Sequence, residues 1–437
     1  MAARRAAAGL LGAVLRQRQT LDDALIHSPA ARAMADMAAR DRALARAITS
    51  TTLRRKGQLD AVLNHFLDKP LPRRCGPLRE ILLAAACQLL FLNRPAHAAI
   101  DLAVRHAKQD RNARHFAKLA NAVLRRVAEQ GPELIAAQDA GPLNTPPWLW
   151  KRWVTTYGEN IARAITQAHL EEAALDLTVK GNAEGWAERL GGVVLDTGSV
   201  RLASHGPVEK LEGYDEGQWW VQDAAAALPA RLFGDVSGKR VADLCAAPGG
   251  KTAQLAHAGA DVTAVDVSPK RLERLEENLT RLGLGVELVA ADATQWMADA
   301  RFDAVLLDAP CSGTGTLRRH PDIAYLKGLK DIEELSALQA RLLRHAVSLL
   351  RPGGRLVYCS CSLEPEEGEQ QIEALLEEKP DIRVDPIRSN EIYGTGSWLT
   401  RDGALRTLPY DLNAGDEKRA GIDGFFAARL RVHNGED

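Results

Sequence analysis

The chain has 437 residues, 46% hydrophobic and 26% charged, which is ordinary for a globular protein and too long for one core of about 100–200 residues, so two or three domains are expected. No uncharged apolar run reaches roughly 18 residues, which argues against a membrane-spanning helix, and the six cysteines (75, 87, 245, 311, 359 and 361) form no cluster with zinc spacing, which points to reduced thiols, no metal and a cytoplasmic setting. The net charge of −1 conceals an asymmetry: residues 1–143 carry 23 Lys+Arg against 12 Asp+Glu, and the remainder 33 against 45, so a basic first part is expected to meet a polyanion.

Residues 1 to about 130 are rich in Ala, Leu and Arg, with apolar positions three and four apart and no strand-like alternation; an all-helical domain over 1–140 is expected. Arg4 and Arg5 before an apolar stretch imitate a secretory signal, but Arg16 and Arg18 follow at once and the helical spacing continues. Thr20 is placed to cap a helix with Asp22 and Asp23 in its first turn, and Pro70 and Pro72 interrupt the pattern. A strongly apolar helix then spans Leu78 to Leu92, closed by Asn93-Arg94-Pro95, and helices follow at about 97–108 and 113–129. Gly131-Pro132, Gly141-Pro142 and Pro146-Pro147 read as a linker, because the residue before proline is pushed away from helix.

A small α+β domain is expected over 145–215, with helices at about 147–169, an alternating strand Leu175–Val179, a short helix, and strands near 193 and 200. Trp219 and Trp220, at the next junction, are assigned to packing in preference to base stacking. From 216 to 432 short apolar runs (241–244, 262–265, 286–289, 304–307 and 356–358) alternate with helical segments at 252–258, 268–282 and 331–350, the pattern of a parallel sheet covered on both faces. A further helix is expected over 364–378, and 423–431 is suited to a last, antiparallel strand.

Asp243-Leu-Cys-Ala-Ala-Pro-Gly-Gly-Lys-Thr252 joins the first strand of this sheet to its first helix. A nicotinamide site would require Gly-x-Gly-x-x-Gly, which is absent, and a Walker A loop would require glycine where Cys245 stands. The remaining candidate is S-adenosylmethionine, which has no phosphate and needs close backbone approach plus carboxylates. Asp266, ending the second strand, is suited to ribose hydroxyls, and Asp292, after the third, to the adenine edge. Cys311 in Asp308-Ala-Pro-Cys-Ser-Gly-Thr-Gly315 and Cys361 in Tyr358-Cys-Ser-Cys-Ser362 each follow a buried strand, where the carboxyl ends of strands open onto a ligand crevice. The residues alone leave open which of the two thiols attacks.

These three blocks, in this order, resemble the RNA cytosine-5 methyltransferases that use S-adenosylmethionine, and the helical first part is similar to the NusB-like RNA-binding domain of the bacterial 16S ribosomal RNA members. The resemblance implies an α/β, Rossmann-like methyltransferase domain preceded by an all-helical NusB-like domain and a small α+β domain. It implies methylation at carbon 5 of a cytosine in 16S ribosomal RNA, of the cytosine 967 type, with another RNA such as tRNA as the alternative. Cofactor contacts are expected from Cys245, Ala246, Ala247, Pro248, Gly249, Gly250, Lys251, Asp266, Asp292 and Asp308. Carbon 5 is a poor nucleophile until a thiolate adds at carbon 6. By the resemblance Cys361 attacks, although Pro310-Cys311 imitates the Pro-Cys nucleophile of the DNA enzymes. Cys311 then assists release, Asp308 engages cytosine N3, and Lys251 orients it. Cys359 matches no requirement of the family and is assigned to packing; a monomer is expected.

Overall fold

The computed structural model describes residues 1–72, 74–392, 396–412 and 420–433. Contacts divide the chain into two compact units: residues 1–171 with 317–327, and residues 172–316 with the chain from 328 on.

The first unit is helical. Helix Ala2–Leu15 buries Ala3, Ala6, Leu10 and Leu11, a small-residue face that lets its neighbours approach closely. Thr20 Oγ1 accepts from the Asp23 backbone N–H at 3.1 Å and caps helix Leu21–His27, as its position predicts. The apolar helix Leu78–Leu90 lies at the centre of the unit's main core. The expected linker is not one: helix Ala117–Ala136 runs straight through Gly131 and Pro132. Gly131 is buried under Leu90, where a Cβ would come within 2.8 Å of Leu90 Cδ2, and Pro132 is exposed. Burial of the face through Val123, Val127 and Gly131 outweighs the one hydrogen bond the proline removes. Helices Pro147–Tyr157 and Glu159–Ala168, parted at Gly158 (φ 83°), also belong to this unit and not with the strands that follow.

Residues 317–327 complete the same unit from far along the chain. Arg18 donates to Leu326 O at 2.6 Å, the Leu21 N–H to Asp322 Oδ2 at 2.9 Å, and Arg54 to Arg318 O at 2.7 Å. Tyr325 OH donates to Leu53 O at 2.8 Å, and Tyr325 and Leu326 pack beside Leu11 and Leu53.

The second unit holds two sheets. Strands β1 (Leu175–Val179), β2 (Val193–Val194), β3 (Val200–Leu202) and β4 (Trp219–Val221) form an antiparallel sheet in the order β2-β3-β1-β4. A domain boundary at 215/216 would cut β4 from this sheet. The sheet is also fastened by a buried ion pair: Asp176 accepts from Arg201 twice at 2.6 Å and from the Ala224 N–H at 3.0 Å, and Arg201 donates on to Gly421 O at 2.6 Å. The chain therefore groups as 172–316 plus 328 on, in place of the expected 145–215 and 216–432. Trp219 and Trp220 are buried, with their indole N–H groups on Glu212 O and Gln222 Oε1, so both are packing residues.

The larger sheet comprises β5 (Arg240–Leu244), β6 (Asp261–Asp266), β7 (Glu287–Ala290), β8 (Phe302–Asp308), β9 (Leu350–Ser360), β10 (Ile382–Val384), β11 (Leu405–Thr407) and β12 (Phe425–Val432). Its order is β10-β12-β9-β8-β5-β6-β7, with β11 also on β12; β5 to β9 are parallel, and β12 is antiparallel to β9. Alternate residues face opposite cores. Leu307, Leu356 and Tyr358 pack with helices Leu329–Ser348 and Glu369–Glu378, whereas Leu306, Val357 and Cys359 pack on the side of helix Gly250–His257. This is the doubly covered α/β sheet the alternation predicts. Among the described residues no helix is long and apolar enough to cross a membrane, and no group of His, Cys, Asp or Glu is arranged to hold a metal ion.

Candidate active site

Four carboxylates stand at the carboxyl ends of four adjacent parallel strands: Asp243 in β5, Asp266 ending β6, Asp292 just after β7, and Asp308 ending β8. The loop after β5 is shaped by its backbone. Cys245 has φ 61° and Gly249 φ 100°, and a Cβ at Gly249 would fall 1.9 Å from Leu275 Cδ1, so only glycine fits. The Ala247 N–H donates to Asp266 Oδ2 at 3.2 Å and the Ser268 N–H to Oδ1 at 3.0 Å, and Arg271 lies 3.4 Å from Oδ2, so the buried Asp266 braces the loop. Asp292 is exposed; its Oδ1 accepts from the N–H and hydroxyl of Thr294, at 2.8 Å each, and these bonds hold its pKa below the usual carboxylate range.

Asp243 is fully buried and accepts from Thr252 Oγ1 at 2.6 Å, while its other oxygen has no partner among the described residues. Burial above all, with the charges of Asp308 and Asp266, pushes its pKa up to about 7 against the pull of Thr252 and Lys251. Burial, then the charges of Asp308, Asp266 and Asp243, push the Cys245 thiol up to about 12, which disfavours its thiolate. Acidic strand ends, with Asp292 exposed, Asp308 partly open to solvent, and Asp243 and Asp266 buried behind the loop, suit a cationic, hydroxyl-bearing ligand better than a phosphate. These residues fit S-adenosylmethionine, and they disfavour a nucleotide triphosphate.

Lys251 lies in the first turn of helix Gly250–His257 and turns back toward β8. Its Nζ is 2.8 Å from Asp308 Oδ2 and 5.1 Å from the Phe425 ring centroid. Burial opposes its charge, but Asp308 and the neighbouring thiols outweigh burial and raise its pKa above the ordinary lysine value. Cys359 is directly opposite Asp308 in the β8–β9 register, and its Sγ lies 3.5 Å from Asp308 Oδ1. Cys359 is buried, as assigned, yet it also touches the site. Burial, then Asp308, raises its pKa well above normal.

Cys311 and Cys361 meet. Their Sγ atoms are 3.3 Å apart, and both side chains are partly exposed. The hydrogen bond with Cys361, then burial, then the charges of Cys361 and Glu367 hold the Cys311 pKa well above the usual thiol range. The Cys311 loop is stitched between two strands: the Gly315 N–H donates to Cys361 O at 3.0 Å and the Gly424 N–H to Gly315 O at 2.8 Å. A Cβ at Gly315 would lie 1.9 Å from Gly424 O, which explains a glycine at that point in the loop.

Sequence reasoning missed the residue beneath these loops. Glu367, in the short turn Pro365–Glu367, is fully buried and accepts from the Ser312 N–H at 2.8 Å, from the Ser312 hydroxyl, from Ser362 Oγ at 2.6 Å and from Gln339 Nε2 at 3.1 Å. The signal was the excess of serines: three hydroxyls beside two cysteines imply a buried acceptor.

A parallel sheet with a glycine-bearing first loop, acidic strand ends and no phosphate cradle, joined to a helical N-terminal unit, defines a Rossmann-like methyltransferase with an accessory domain. The family profile described as 16S rRNA methyltransferase RsmB/F matches residues 232–431, and that of the NusB family matches residues 1–129. A ribosomal RNA small subunit methyltransferase B from Xanthomonas campestris is 38% identical, over 92% of this chain and 93% of its own length. A second relative of the same name, from Cronobacter sakazakii, is 35% identical over 90% of each. Among solved structures, a methyltransferase homolog from Pyrococcus horikoshii is similar at 28% identity and a TM-score of 0.53, covering 64% of this chain and 93% of its own. The chain belongs to the RsmB/F family of 16S rRNA methyltransferases.

Proposed function

We propose that the chain transfers a methyl group from S-adenosylmethionine to carbon 5 of a cytosine in 16S ribosomal RNA, of the cytosine 967 type, acting in the cytoplasm as a monomer. The observation that carries this reading is the pair of thiols 3.3 Å apart beside the Lys251–Asp308 pair. The cofactor, when bound, supplies an electrophilic methyl group. Loop 245–250, Asp266, Asp292 and Asp308 are the residues that would hold it.

In this reading Cys361 adds to carbon 6 as a thiolate, the C5=C6 π bond breaks with its electron pair passing to carbon 5, which thereby becomes the nucleophile, and the Cys311 S–H donates toward the attacking sulfur. Asp308, fixed by Lys251 on one oxygen and by the Cys359 thiol on the other, is held at the cytosine N3 edge. Once Cys361 is consumed as a neutral thioether, its hydrogen bond and its charge no longer raise Cys311, and burial and Glu367 alone still oppose ionisation. Cys311 can then lose its proton to solvent and act as the base that removes the carbon 5 proton. The electron pair of that C–H bond restores the ring double bond, and Cys361 leaves with the electrons of its C–S bond. Each thiol thus has its own step.

The test uses unmodified 16S ribosomal RNA transcript and labelled cofactor. Cys361→Ala is expected to abolish methylation, to below about a thousandth of wild type, and to form no adduct. Cys311→Ala is expected to accumulate a protein–RNA adduct that survives denaturation. An adduct in Cys361→Ala would reverse the two roles, and label arriving in tRNA but not in 16S transcript would move the substrate to the alternative.

A further inference from the structure

We propose that Glu367 is a positioning residue that sets the spacing of the two thiols and thereby governs product release more than attack; this rests on the roles assigned above to Cys361 and Cys311. The carboxylate grips the neighbours of both cysteines. Ser312, which follows Cys311, gives it two hydrogen bonds, and Ser362, which follows Cys361, gives it one. Gln339 donates to the same carboxylate at 3.1 Å and to Pro310 O, on the other side of Cys311, at 2.9 Å. The Glu367 carbonyl accepts from Ser360 Oγ, just before Cys361, and from Tyr358 OH, at 2.8 Å each. Every residue flanking the two thiols is therefore bonded to Glu367 or to its partner Gln339.

A buried carboxylate is costly, and among the described residues this one has four donors and no cation bonded to it. Packing alone would be served by an apolar residue of similar volume. What the carboxylate adds is an acceptor of fixed geometry shared by two loops 50 residues apart in sequence, whose thiols consequently face each other at 3.3 Å. Attack requires only that Cys361 reach carbon 6; the hydrogen bond from Cys311 aids it but forms no bond to the base, so attack tolerates an error in that spacing. Release requires Cys311 to reach the carbon 5 proton while Cys361 is still bonded to carbon 6, so the error falls on the second step.

The test compares wild type with Glu367→Gln in single-turnover and steady-state reactions on 16S transcript. The adduct is expected to form within about twofold of the wild-type rate with KM unchanged, while turnover falls roughly tenfold to a hundredfold and adduct accumulates. Equal losses in adduct formation and turnover would show Glu367 to be a support of the fold alone and overturn the proposal. If Glu367→Gln melts well below wild type, Ser312→Ala replaces it: a smaller loss of the same kind supports the proposal, and turnover and adduct levels equal to wild type sink it. A readout that needs no RNA separates this failure from failure of the cysteine assignment. Diamide should close the Cys311–Cys361 disulfide several-fold more slowly in Glu367→Gln, and an unchanged rate would show that Glu367 does not set the spacing, whichever thiol attacks.

Discussion

Two parts of the crevice are built in opposite ways. The loop after β5 is defined by its backbone, through Cys245 and Gly249 in left-handed conformations, with Asp266 as its chief side-chain brace. The loops after β8 and β9 are defined by side chains: Ser312, Ser360, Ser362, Thr314 and Gln339 converge on or around Glu367. The difference follows from what each must present. A loop against which a cofactor lies must expose its own N–H and C=O groups, so few side chains can stand in the way. A loop that aims a thiol must fix a rotatable group in space, which takes hydrogen bonds from several directions.

The comparison is sharpened most by Gly249→Ala. The new Cβ meets Leu275 Cδ1 at 1.9 Å and the residue must hold φ 100°, so a loss of about 3 kcal/mol in chemical denaturation is expected, with a raised KM for the cofactor. If the KM for cofactor is unmoved, the loop is not the backbone cradle described. A smaller effect, dependent on pH, belongs to Asp243. Its folded pKa, about 7, lies above the unfolded carboxylate value, so its contribution to stability is present at low pH and is lost as pH rises through about 7. Wild type should therefore lose stability relative to Asp243→Asn between pH 5 and pH 8, on the order of 2 kcal/mol, read from melts of both proteins across that range. Parallel curves would refute it. The smallest effect is at Thr314, whose hydroxyl accepts from the Leu363 N–H at 3.0 Å. Thr314→Val should cost about 1 kcal/mol and lower kcat without raising the cofactor KM, the converse of Gly249→Ala.

Much of this site was legible in the sequence, because its parts lie at the ends of apolar runs whose alternation with helices dictates a parallel sheet. Cys311, Cys361 and Asp308 stand at such positions and Lys251 in the glycine-bearing loop, their separate roles coming from the family resemblance, and the structure sets Cys311 against Cys361 and Lys251 against Asp308. Glu367 was not legible: it falls in an acidic stretch that reads as the solvated start of a helix over 364–378, whereas the helix begins at Glu369 and the turn before it folds inward. Gly131-Pro132 misled for the opposite reason. Local proline chemistry signals a break, and only the tertiary contact with Leu90 reveals that the helix continues. The Asp176–Arg201 pair, 25 residues apart, was equally invisible, since neither residue has a local motif.

One feature of the helical unit bears on how the protein is made. Its last piece, residues 317–327, is synthesised well over a hundred residues after the rest, directly downstream of the Cys311 loop. At ribosomal speeds of about 5–20 residues per second, the nascent helical unit waits on the order of ten to thirty seconds for Tyr325, Leu326 and Asp322 to cover Leu11, Leu53 and the Leu21 N–H. A gene fragment ending at residue 171 would leave that patch bare, so separate expression of the two halves is expected to give an aggregation-prone N-terminal product. The accessory domain is thus no detachable module, because its closing stitch is encoded inside the enzyme.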